Sequence, residues 1–74
     1  MIVNERMDLT DELLELYSDW RIRCEEVRAN YERFSSAARG DRASAFAAFE
    51  AALDREASAA TAYAAHLRRV VIAA

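Results

Sequence analysis

Apolar residues in the first half of the chain fall at Leu9, Leu13, Leu16, Trp20, Cys24, Val27, Tyr31, Phe34 and Ala38, always three or four positions apart. Such steps average close to 3.6 residues and align the side chains on one stripe of an α-helix. The second half repeats the rule at Phe46, Phe49, Leu53, Ala57, Ala60, Tyr63 or Ala64, Leu67 and Val71. The pattern predicts two long amphipathic helices, over 8–39 and 42–72.

Between them stands Ala38-Arg39-Gly40-Asp41-Arg42. Gly40 suits the left-handed residue that closes a helix, and Asp41 suits the cap of the next one, so the reversal is expected at 40–41. At the front, Asp8 or Thr10 is the expected N-cap, and Asp11, Glu12 and Glu15 place negative charge on the positive end of the helix dipole. Arg68 and Arg69 do the converse at the end of the second helix. Residues 1–7 show no periodic pattern and read as a flexible arm.

A short turn makes the helices antiparallel neighbours, so residues whose numbers add to about 80 lie level. Phe34 then meets Phe46, Tyr31 meets Phe49, Val27 meets Leu53, Trp20 meets Ala60, Leu13 meets Leu67 and Leu9 meets Val71. The same rule sets Glu12 level with Arg68, Asp11 with Arg69 and Glu25 with Arg55, and Asp19 with Arg23 adds a pair along the first helix. Glu26 falls level with Asp54, a misfit expected to splay into water or toward an arginine of a second chain.

Composition narrows the fold class. One glycine and no proline in 74 residues leave no material for the turns of a small β-domain, so the chain reads as all-α. The seventeen alanines are concentrated after Arg42, and all ten basic residues are arginine, a usage typical of GC-rich bacterial genomes. A hairpin of this size shields only one stripe of each helix, and small domains need a further source of stability. Leu14, Tyr17 and Ile22 fall outside the predicted seam, as does an alanine ridge at Ala45, Ala48, Ala52, Ala59 and Ala62 on which another helix can approach closely. These residues are the candidate interaction surface, and the expected assembly is a homodimer forming a four-helix bundle.

Candidate chemistry is sparse. Cys24 is the single cysteine, so no disulfide forms within the chain, and a lone thiol fits a reducing cytoplasm. His66 is the single histidine; one His with one Cys makes no zinc site in one chain, and Tyr63 stands where a di-iron Glu-x-x-His motif needs Glu. No metal or other cofactor is expected. Glu56 flanks the stripe opposite Cys24 and Arg23, where it reads as either a partly buried partner of Arg23 or a surface carboxylate. A net charge of −3 argues against nucleic acid, although Arg39 and Arg42 gather at the tip. No apolar run approaches a membrane span, and the opening Met-Ile-Val-Asn-Glu-Arg carries no basic-then-apolar leader.

The last residues, Val70-Val71-Ile72-Ala73-Ala74, are expected to close the open end over Leu9 and Leu13 or to serve as a docking segment. Their terminal Ile-Ala-Ala is also similar to the apolar-Ala-Ala tails that bacterial unfoldase-proteases recognise. Taken together, the residues point to a non-enzymatic protein–protein interaction or regulatory module with a protein partner. The alternative is an accessory subunit of a larger enzyme or a nucleic-acid-associated regulator.

Overall fold

A computed structural model describes residues 5–73. It is an antiparallel hairpin of α1 (Glu5–Ser35) and α2 (Arg42–Ala73), joined through a 3-10 turn at Arg39–Asp41. No strand occurs among the described residues. The molecule is a rod of 60 × 14 × 13 Å with a radius of gyration of 17.0 Å. A compact chain of this length would have a radius near 11 Å, roughly.

The helix limits differ from the sequence expectation at both ends of α1. Helix already begins at Glu5, so Asp8 and Thr10 lie inside α1 rather than capping it, and of the expected arm only residues 1–4 lie outside the described residues. At the far end α1 stops at Ser35 instead of continuing to 39. The cause is local. The carbonyl of Glu32 accepts from Ser35 Oγ (3.1 Å), Ser36 Oγ (2.9 Å) and Ser36 N (3.1 Å), and serine hydroxyls that bond back in this way compete with helical propagation. Gly40 takes no left-handed backbone angle. It sits within the 3-10 turn, where Asp41 N donates to Ala38 O at 2.8 Å. Asp41 contributes through its carbonyl, which accepts from Ser44 Oγ at 3.3 Å in the first turn of α2.

The seam between the helices has a period of 3.5 residues, shorter than the 3.6 read from the apolar pattern. On α1 its half-buried positions are Leu9, Leu13, Leu16, Trp20, Arg23, Val27, Asn30, Phe34 and Ala37. On α2 it runs through Ala45, Phe49, Ala52, Glu56, Ala59, Tyr63, His66 and Val70. Among the described residues the buried ones are Ala52, Ala59 and His66, each seven positions from the next. An alanine at every seventh place lets two helix backbones approach closely, so the smallest side chains occupy the tightest points. The large residues Phe46, Leu53, Leu67 and Val71, expected in the seam, stand beside it and remain 38–65% exposed.

The level rule itself holds. Phe34 meets Phe46 (ring centroids 5.3 Å apart), Tyr31 meets Phe49 (5.6 Å) and Tyr17 meets Tyr63 (5.6 Å). Near the turn Phe34 also stacks on Phe49 at 6.3 Å and carries the Arg42 guanidinium 4.9 Å above its ring. Aromatic pairs and cations over ring faces add favourable electrostatics to the burial. Trp20, expected level with Ala60, stacks on Tyr63 at 5.8 Å while its Nε1–H donates to Glu56 Oε2 at 2.8 Å, one ring contact and one polar anchor across the seam.

Candidate interaction surface

Antiparallel pairing at a 3.5 period gives the hairpin two long faces of different chemistry. One face is apolar. Next to the seam it carries Tyr17, Cys24 and Tyr31 from α1 and Phe46, Leu53, Ala60 and Leu67 from α2, with Leu14 and Val71 one step further out. Exposures here are 58% for Leu14, 53% for Tyr31, 42% for Phe46 and 65% for Val71. An apolar seam widened on one flank is the pattern of a helix that packs against two neighbours in a bundle.

The opposite face is charged, with its central charges paired. Arg55 of α2 reaches Glu26 of α1 at 3.6 Å, and Arg23 holds both Glu26 (3.1 Å) and Asp19 (3.5 Å). Glu26 is therefore no misfit: it pairs with two arginines of its own chain, while Asp54 lines an open groove beside them. That groove, of about 430 Å³, is lined by Asp19, Arg23, Asp54, Arg55, Ser58, Ala59 and Ala62. Arg28 is exposed and bonded to Glu25 at 2.9 Å, and this bond together with the charges of Glu25 and Glu32 raises its pKa further above the ordinary arginine range.

The expected alanine ridge is not one outer surface. Ala52 and Ala59 are buried against α1, Ala45 is half-buried in the same seam, and Ala48 and Ala62 are exposed on the charged face. Seven-residue spacing makes the reason plain, because alanines repeating at that interval follow the seam rather than the outside of a 3.5-period pair. Leu14, Tyr17 and Ile22 are exposed as expected, at 58%, 43% and 56%. Leu14 and Tyr17 share the apolar face, whereas Ile22 belongs to the other side.

The remaining candidates also find their places. Glu56 accepts from Trp20, not from Arg23. His66 is 3% exposed, and its Nε2–H donates to the Leu9 carbonyl at 2.8 Å, tying the open end of α2 to α1. Cys24 is a half-buried free thiol on the apolar face. No ion pair joins Glu12 to Arg68, Asp11 to Arg69 or Glu25 to Arg55, while the predicted Asp19–Arg23 pair is present. At the open end Val70 turns inward, but Val71 and Ile72 stay 65% and 83% exposed, so the tail does not close over Leu9 and Leu13. Among the described residues no three His, Cys, Asp or Glu side chains gather as a metal-binding group, and no helix is long and apolar enough to cross a membrane.

The chain exposes 5466 Å², whereas a compact protein of 8.4 kDa exposes roughly 4600 Å², the difference following from the elongated 60 Å shape. Comparison of the chain with protein-family models, curated proteins and solved structures found no match.

Proposed function

We propose that the chain is a non-enzymatic protein–protein interaction module that works as a homodimer, two hairpins pairing through their apolar faces into a four-helix bundle. The open apolar face carries this reading. Among the described residues only Ala52, Ala59 and His66 are buried, and these with half-exposed ring pairs fall short of offsetting the ordering of sixty-odd helical residues, which costs on the order of 1.5 kcal/mol each. A second copy supplies the missing burial, and a two-fold interface needs only a surface that complements itself. The single thiol and the absence of a disulfide suit a reducing compartment such as the cytoplasm.

In this reading the bundle leaves its charged faces outermost, and these, with the exposed Ile72 end, are the surfaces offered to a protein partner. Light scattering on a size-exclusion column, across a hundredfold concentration range, tests the assembly. The expected mass is twice the 8.4 kDa chain. A folded species of single-chain mass at all concentrations would overturn it.

A further inference from the structure

Two hairpins that meet through one face have two symmetric ways to do so. With the two-fold axis along the rod, both turns lie at the same end and α1 of each copy packs on α2 of the other. With the axis across the rod, the turns lie at opposite ends and each helix packs on its own copy. Resting on the homodimer reading above, we infer that the hairpins lie with their turns at the same end.

Charge on the rim of the apolar face decides between them. The α1 rim carries Arg21 and Arg28, and the α2 rim carries one charge, Glu50, in a row otherwise made of alanine and valine. Arg28 and Glu50 are nearly level, since their numbers add close to 80 as in the ring pairs Tyr31–Phe49 and Phe34–Phe46. An axis along the rod preserves levels, so each Arg28 faces the other copy's Glu50, and the dimer gains two such pairs. An axis across the rod instead brings the two α1 rims together, so that Arg21 and Arg28 face an α1 rim whose charges are also arginine, with no rim carboxylate to pair them. Arg28 keeps Glu25 on its outer side at 2.9 Å in either case, so Glu25 does not separate the two.

Side-chain size points the same way. With turns together, Tyr17 falls opposite Ala60 and Ala64 of the other copy, Leu53 falls opposite Cys24, and Leu14 meets Leu67. The first two of these pairs set a large residue against a smaller one, as interdigitating layers require, while Leu14 with Leu67 adds an apolar contact toward the open end.

Spin labels at the turn read the arrangement directly. In a Cys24→Ser background, Gly40→Cys places one label per chain at a site with no heavy atom within 4 Å of the new Cβ. Helix axes in a bundle are about 8–10 Å apart, so turns at the same end give a label-to-label distance of roughly 20–30 Å. Turns at opposite ends are separated by nearly the 60 Å rod. A distance near the rod length overturns the arrangement while leaving the homodimer intact; a chain of single mass without intermolecular coupling overturns both. Charge reversal gives an independent reading. Arg28→Glu and Glu50→Arg are each expected to raise the dimer Kd about three- to tenfold, and together to restore it. Failure of the double variant to recover would likewise sink the same-end arrangement.

Discussion

Replacing Ala52 with leucine probes the close approach of the two helices more directly than any other single change. Ala52 has 0% exposure and sits midway along the buried alanine row that continues to Ala59. Three added carbons have no void to enter there, so either the leucine leaves its preferred rotamer or the helices part. Overpacking of this kind costs about 1–3 kcal/mol. For a domain of this size each kcal/mol lowers Tm by about 4–8 °C, so Ala52→Leu is expected to melt roughly 5–20 °C below the parent. Ala48→Leu is the control, because it changes helix propensity identically but lies exposed on the charged face. Its expected effect is within about 0.5 kcal/mol of zero. Circular dichroism melts of the three proteins at one chain concentration make the comparison, since assembly makes Tm concentration-dependent. Equal melting of the two variants would refute the alanine seam and return these residues to an outer surface.

Three further perturbations address the polar anchors and the ion network. Glu56→Ala leaves the Trp20 indole N–H unpaired and is expected to cost about 1–3 kcal/mol in chemical denaturation, with a shifted Trp20 emission maximum, whereas Glu56→Gln retains an acceptor and most of the stability. His66→Ala removes both the buried ring and its bond to the Leu9 carbonyl, so a loss of at least about 1–3 kcal/mol is expected; an unchanged midpoint would mean the open end is not tied there. Glu26→Ala takes from Arg55 its partner and leaves Arg23 only Asp19, at a half-exposed site, and is expected to cost only about 0.2–1 kcal/mol, a difference that shrinks in high salt.

The two helices and their level were legible in the sequence because apolar spacing and chain reversal dictate both. The choice of inward face on α2 was not. Hydrophobicity favours burying Phe46, Leu53, Leu67 and Val71, whereas the geometry of a close antiparallel pair favours alanine at every seventh position and moves the bulky residues to the flank. Glu56 and His66 were hidden for a related reason: a polar residue reads as surface until its partner is known, and their partners are the indole N–H of Trp20 and a backbone carbonyl thirty-six and fifty-seven positions away. Gly40 is a louder stop signal than Ser35-Ser36, yet the serine hydroxyls act first along the chain and α1 ends there. With Ala45, Ala52 and Ala59 in the seam, the open apolar surface is the aromatic and leucine-bearing side, which includes Leu14 and Tyr17 but neither Ile22 nor the alanine ridge.

The aromatic cluster beside the turn implies an order of events in folding. Bringing Phe34 to Phe46 closes a loop of about a dozen residues, whereas bringing His66 to Leu9 spans 57 positions. Loop closure grows as about 1.5 RT times the logarithm of length, so the distant contact formed first would cost about 1.4 kcal/mol more entropy than the near one. Loop closure thus favours contact among Phe34, Phe46 and Phe49 before the His66 tie, an order that φ-values near 1 at the turn and near 0 at His66 would verify.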